Sequence, residues 1–447
     1  MDNNVENLTY NSATGYRAVL RNKNFLFLWL GQIFSQLGDR VTFVVFVAII
    51  AKHFYMSASL QSGLYISFTI PAVLLTAIAG VFVDKWNKKH ILISTNILRG
   101  LIIILLPIAD KYLFGIYALA FLISSVTQFF VPAEAASIPT LVDKKQLIAA
   151  NSLFTTTMMG SIIFGFALGD PLINIFGLKA VHWAVAGLFL ISSFSLSFIK
   201  NNKHNEENEA HKSFKDFMDD LSQGIVYIKN TPIVLNAILK LSTLFSVIVM
   251  LSILAISISQ HWLYPDNIAL GAQKFVYIVA FSGVGMVLGS IAVGKLWRNI
   301  DKYLLIYRGF ALIGLSLILL ILTGLIPNES SITIPEKDLL FLHLEQINLT
   351  TRMIYAYFIS ALVGLGCSLV AIPVQTVLHS AVPEDLRGKV FGVQFTFLST
   401  SSTLPVLVAA FMADALGIGV TLIIIGLPIL LFGLFNLIKK HKSNELI

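Results

Sequence analysis

The sequence predicts an all-α membrane protein with twelve transmembrane helices in two six-helix halves. Three observations carry that prediction. Of the 447 residues, 56% are hydrophobic and 12% charged, about half the ~25% charge of a soluble domain. Apolar stretches of ~20 residues, enough to cross ~30 Å of hydrocarbon as a helix, recur twelve times. A long polar interruption follows the sixth. So few charges cannot cover the surface of a water-soluble globule of this size. This excludes a cytosolic enzyme, a disordered protein and a typical nucleic-acid binder. The stretches are too long and too evenly apolar for barrel strands, and lipid satisfies no backbone hydrogen bond, so helices remain. The single cysteine, Cys367, excludes an intrachain disulfide and a cysteine-based metal site, and reads as a small packing residue.

The elements follow in order. Residues 1–24 form a polar cytoplasmic tail with no cleavable leader. Spans at roughly 25–50, 61–83, 90–109, 112–132, 149–176 and 180–199 build an N-terminal bundle over 25–199. A cytoplasmic connection occupies 200–231. Spans at roughly 232–259, 273–297, 303–326, 353–378, 389–413 and 417–437 build a C-terminal bundle over 232–437, and a cytoplasmic tail closes the chain at 438–447. Twelve spans put both termini on one side. Of the 31 Lys and Arg, 21 then fall on the terminus side and 6 on the opposite loops, which makes the terminus side cytoplasmic.

Within the central connection, Phe214, Phe217, Met218, Leu221, Ile225 and Ile228 share one helical face, while Lys215, Asp219 and Asp220 lie off it. That spacing predicts an amphipathic helix on the membrane surface; a cytosolic extension of span seven is the alternative. The other long connection, Ile326–Arg352, is an external loop with N-x-S/T triplets at Asn328 and Asn348, which carry no glycosylation claim. No phosphate-binding loop or H-E-x-x-H occurs, and the nine histidines are scattered. Gly283, Gly285 and Gly289 sit inside a span with no preceding strand, so they predict close helix packing rather than a dinucleotide loop.

Between spans two and three the chain reads Gly80-Val-Phe-Val-Asp84-Lys85-Trp-Asn87-Lys88-Lys89. This resembles the G-x-x-x-D-R-x-G-R-R loop of the major facilitator superfamily, with Lys85 for Arg and Asn87 for the second Gly. Gly38-Asp39, Phe130-Val-Pro132-Ala133, Ala150-Asn151-Ser152-Leu153 and the Pro383–Gly392 segment are similar to its macrolide-efflux and enterobactin-exporter branch. The resemblance covers nearly the whole chain. It implies the major facilitator fold and a carrier of small molecules. One departure stands out: the G-x-x-x-G-P-x-x-G-G pattern of drug antiporters is matched in span five by Gly160, Gly165 and Gly169, but Phe166 replaces the Pro and Asp170 the last Gly.

By the same resemblance, spans one, four, seven and ten line a central cavity. In span one, Gln32, Ser35, Gln36 and Asp39 form a polar stripe. Span four offers Gln128 with Ser124. Span seven offers Asn236, Lys240 and Thr243. Span ten offers Ser368, Gln375 and His379, the last a helix-end polar group. Asp39 lies ~21 Å into its span. A carboxylate there is the candidate proton-coupling site; the alternative is a structural ion pair with Arg40 or Arg99. Arg99 must pair or face water, and it reads as a structural charge. Lys240 either snorkels to the cytoplasmic face or faces the cavity, where it favours anionic or zwitterionic substrates. Glu134 reads as a solvated charge at the end of span four, with a proton relay as the alternative. Gly80, Asp84, Lys85, Lys88 and Lys89 are implied to latch the halves on the cytoplasmic side.

The expected function is proton-coupled efflux of an amphiphilic small molecule such as a drug or siderophore, by a monomer in the cytoplasmic membrane. It needs no cofactor or metal beyond a proton gradient. No nucleophile–base pair is visible, so no enzyme is expected. An importer or facilitator, or a scaffold that keeps the fold without turnover, are the alternatives.

Overall fold

A computed structural model describes residues 16–54, 58–143, 146–200, 214–297, 300–327, 330–334, 337–339, 342–344, 347–383 and 386–444. A short helix α1 (Tyr16–Arg21) leads into α2 (Lys23–His53), whose start is fixed by Asn22: its side chain accepts from the Asn24 and Phe25 amides. The first half continues through α3 (Ala58–Lys85), α4 (Lys88–Ile104), α5 (Leu106–Ala109), α6 (Leu113–Leu141), α7 (Leu147–Phe176) and α8 (Val181–Ser197). After α9 (Phe214–Asn230), the second half holds α10 (Pro232–Ile258), α11 (Ile268–Lys274), α12 (Val276–Ile291), α13 (Lys302–Leu319), α14 (Thr351–Ala381), α15 (Arg387–Leu416) and α16 (Ile418–Asn444). By length and composition, seven of the described helices suffice to cross a membrane: α2, α6, α10, α11–α12, α13, α14 and α16. α3, α7, α8 and α15 contain shorter apolar helical stretches. α4 carries buried Thr95, Asn96 and Arg99 among its apolar residues.

The twelve expected spans correspond to α2, α3, α4–α5, α6, α7, α8, α10, α11–α12, α13, α14, α15 and α16. Two are broken. The third bends at Leu105, ahead of Pro107, which has no amide proton to continue the ladder. The eighth bends at Phe275. The halves echo one another at α7 and α15. Each ends on a glycine with positive φ, Gly177 at 69° and Gly417 at 86°, where an L side chain would be strained.

Packing is closest where glycines let backbones meet. A Cβ at Gly285 of α12 would collide with the carbonyl oxygen of Ala361 in α14, and one at Gly364 with that of Ser282. These glycines make a helix contact, as their place inside a span implies. In the first half, Cβ atoms at Gly165 and Gly169 of α7 would sit 2.7 Å from Arg40 Cβ and Val44 Cγ1 of α2.

One element differs from expectation, and a second makes contacts that the sequence did not specify. The long connection before α14 is not a plain loop: β1 (Ser330–Ile334) pairs antiparallel with β4 (Ile347–Thr350), and β2 (Lys337–Leu339) with β3 (Leu342–Leu344). The β-branched residues of Ser-Ser-Ile-Thr-Ile favour that ribbon. α9 is separated from α10 at Thr231, and it docks on protein. Tyr227 Oη donates to the Ala381 carbonyl at 2.9 Å, Lys389 Nζ donates to Gln223 Oε1 at 2.6 Å, and Gly224 lies against the Lys389 carbonyl. The side chains of Phe214, Phe217, Met218 and Leu221, on the expected membrane face, lie outside the described residues, as does Asn328.

Candidate functional site

The first half encloses a charged cluster where α2, α4, α6 and α8 meet. Arg99 is fully buried. Its Nη1 donates to both Asp39 carboxylate oxygens at 3.0 Å, and its Nη2 donates to Ser35 Oγ and Asn96 Oδ1, each at 2.8 Å. The guanidinium lies between two phenyl rings, 4.6 Å from the centroid of Phe130 and 4.7 Å from that of Phe189. The sequence places these groups: Ser35 and Asp39 are one turn apart on α2, and Asn96 and Arg99 one turn apart on α4. Gly38 makes room, because a Cβ there would come within 2.9 Å of the Phe189 ring. Of the two pairings open for Asp39, the structure selects Arg99. Arg40 instead sits 5.9 Å from the Phe166 centroid, with a buried Nε that has no hydrogen-bond partner among the described residues.

Glu134 completes the cluster and corrects the reading of it as a solvated charge. α6 runs on to Leu141, so Glu134 is still ~10 Å inside the helix and is 5% exposed. It stands one turn after Phe130, within electrostatic reach of Arg99 and Asp39. Its Oε1 accepts no hydrogen bond among the described residues. The cluster thus holds two carboxyl groups and one guanidinium.

A second charged cluster joins the halves on the side opposite the termini. Asp170 of α7, 1% exposed, accepts from Gln273 Nε2 at 2.7 Å, Lys274 Nζ at 2.9 Å and Tyr277 Oη at 2.8 Å, all on α11–α12. Gln273 also donates to Asn174 Oδ1 at 2.8 Å. Nearby, Gln61 of α3 donates to Gln260 Oε1, past the end of α10, at 3.2 Å. Asp170 is the residue that departs from the antiporter pattern. Here its carboxylate replaces glycine packing with charge-assisted bonds between halves.

The remaining sequence candidates are dispersed. Gln32 is buried and donates to the Phe154 carbonyl at 3.3 Å, so it ties α2 to α7. Ser368 is buried and donates to the Met286 carbonyl at 2.6 Å, so it ties α14 to α12. Gln128 donates within α6 to Ser124, and exposed Thr243 donates within α10 to Leu239. Gln36 is half-buried on α2. Gln375 faces His379 at 3.4 Å and accepts from Gln394 of α15 at 3.4 Å. Lys240 lies in a cleft between α10, α13 and α14 with Tyr303 and Tyr307. In the loop between α3 and α4, Asn87 caps α4 by accepting from the His90 amide at 3.2 Å, which explains an Asn where the pattern has Gly. Gly80 has open space around it, and Lys88 and Lys89 are half-buried at the start of α4. The side chains of Asp84 and Lys85 lie outside the described residues. No cluster of three or more metal-ligating side chains occurs among the described residues.

The model of the Major Facilitator Superfamily matches residues 28–343. The chain is 26% identical to the MFS-type transporter YfiS of Bacillus subtilis, itself uncharacterized, over 96% of each chain. It is 20% identical to the multidrug efflux pump Tap of Mycolicibacterium fortuitum, over 89% of this chain and 90% of Tap. Among solved structures, the nucleoside transporter NupG superposes with a TM-score of 0.67 at 9% identity, covering 94% of this chain and 99% of NupG. At that identity the likeness speaks for the fold alone.

Proposed function

From the premise that this chain belongs to the major facilitator superfamily, and is a multi-pass membrane transporter rather than an enzyme, we propose that it exports an amphiphilic small molecule in exchange for protons. The observation that carries the coupling is Glu134: a buried carboxyl with an unpaired oxygen, next to an Asp39 whose charge Arg99 already balances. An intramembrane acid without a fixed partner is the place for an exchangeable proton. Asp39, the first candidate from sequence, is then the group that holds Arg99 in place, and Glu134 the group that loads and unloads. Export is supported by the efflux pump among the relatives.

In this reading the termini are cytoplasmic, and the Asp170 cluster closes the external side. α7 carries Asp170 and packs on α2 through Gly165 and Gly169, next to Arg40 and Val44. The helix bearing Asp39 is therefore packed directly on the helix bearing the external contacts. Coupling requires only that proton and substrate bind the two conformations unequally.

The test uses everted vesicles with an acidic interior and a fluorescent pH reporter, challenged with macrolides, siderophores, lysophospholipids and dyes. A compound-dependent collapse of the gradient is expected. Glu134→Gln should abolish it while leaving the melting temperature within a few degrees of wild type. Full proton-driven transport in Glu134→Gln would remove Glu134 from the mechanism. A collapse absent for every compound would remove proton exchange.

A further inference from the structure

The cleft that holds Lys240 belongs to neither charged cluster. It encloses about 190 Å³. Asn236 and Lys240 come from α10, Tyr303 and Tyr307 from α13, and Val374 and Val377 of α14 form an apolar wall. Among the described residues, the Lys240 ammonium, the Asn236 amide and both tyrosine hydroxyls make no hydrogen bond or ion pair within the protein. Asn236 and Tyr303 are exposed and Lys240 and Tyr307 half-buried, so all four polar groups are free to meet a ligand in the cleft. The carboxylate of Asp301, at the foot of α13, does not neutralise Lys240, because it is bound by Lys440 Nζ of α16. Lys440 also lies 5.5 Å from the Tyr303 centroid, which places α16 beside the cleft.

The halves are unequal beside the cleft. In the first half α2 packs along α8, with Gly31 against Leu196 and Gly38 against Phe189. The corresponding helices of the second half, α10 and α16, barely touch. Lys240 lies ~12 Å along α10 from Pro232, so its long side chain can extend toward the headgroup region on the terminus side.

We infer that this cleft binds the anionic headgroup, a phosphate ester, of an amphiphile in the leaflet on the terminus side. An ammonium, two hydroxyls and an amide supply donors to acceptor oxygens, and the lysine disfavours a cation. Size selects a headgroup over a whole substrate, since drug-sized ligands occupy ~300–1,000 Å³. The acyl chains would leave through the gap between α10 and α16 into lipid. The same chemistry would accept free phosphate, so the test separates the two sources. It is independent of transport direction and coupling.

Purified protein is titrated with phosphatidylglycerol, or with diacylglycerol of the same chains, and retained lipid is counted by native mass spectrometry. Wild type should retain phosphatidylglycerol at least fivefold better than Lys240→Ala, with Lys240→Arg near wild type, Tyr307→Phe intermediate, and diacylglycerol unaffected throughout. In parallel, inorganic phosphate and glycerol 3-phosphate are tested for stabilisation against heat. A shift that needs Lys240, without any lipid difference, would assign the site to a soluble phosphate. Unchanged phosphatidylglycerol retention in both Lys240→Ala and Tyr307→Phe, with no Lys240-dependent shift by phosphate, would overturn the inference. Tyr307→Phe keeps the test valid if Lys240→Ala fails to fold.

Discussion

Arg99→Met removes four hydrogen bonds and two ring contacts at once, and the size of the loss follows from what it leaves behind. Asp39 would lose its hydrogen-bonded counter-ion inside the helix bundle. Removing one partner of a buried pair costs ~3–5 kcal/mol. The Asp39 side chain is 24% exposed and can recover some hydration, so the lower end applies, ~3 kcal/mol. Removing both partners leaves no orphaned charge, and exchange of a buried pair for apolar groups is often near neutral. Asp39→Leu/Arg99→Met should therefore be at least ~2 kcal/mol more stable than the sum of its two single variants predicts. Reversible denaturant unfolding of the four proteins in one detergent, read as a double-mutant cycle, measures this. A coupling energy below ~0.5 kcal/mol, the ordinary error of additivity, would refute the claim that Asp39 and Arg99 stabilise one another.

Asp170→Asn should loosen the contact between halves. It weakens up to three charge-assisted bonds worth ~1.5–3 kcal/mol each, so the population open on the Asp170 side should rise at least tenfold, read by spin-label distances across α7 and α12. An unchanged distance distribution would mean that the contact does not hold that side closed. Gly285→Ala should lower stability by ~1–3 kcal/mol or more through overpacking against the Ala361 carbonyl; wild-type unfolding would contradict the backbone contact. The hydrogen bond from Lys440 holds the Asp301 carboxyl below its usual range. A depressed folded-state value stabilises above the unfolded value near ~3.9 and is lost as pH falls through the folded one. Asp301→Asn should thus melt with a slightly smaller loss than wild type between pH 5 and pH 3. An identical acid profile would show that this surface pair contributes nothing, as many do.

The helices were legible because span length and hydropathy are local properties. Asn96 and Arg99 sit together in an apolar run, and a guanidinium there must find a carboxylate, so Asp39 was within reach of sequence reasoning. The burial of Glu134 is hidden in the sequence because the apolar run of span four ends before it. The helix continues through Ala135–Leu141, and its signal was the spacing of four from Phe130. The partners of Asp170 are about a hundred residues away, at separations of 103, 104 and 107, and no local pattern joins them. The pattern marked Asp170 only as an exception. The Lys240 cleft was equally hidden, because its lining comes from three helices far apart in the chain, α10, α13 and α14.

Among the described residues, the ion pairs divide by what they connect. Arg99–Asp39 and Lys440–Asp301 each lie within one half, while Lys274–Asp170 crosses between halves. In the transport cycle proposed above, the first two ride as passengers and need never break, however strong they are. The third must part each time the far side opens. Strength at Arg99 therefore accrues to the lifetime of the fold, and strength at Lys274 to the time spent waiting in one state. At ~1.4 kcal/mol per factor of ten, small changes at position 274 can retune turnover by an order of magnitude while the folded lifetime stays where it was.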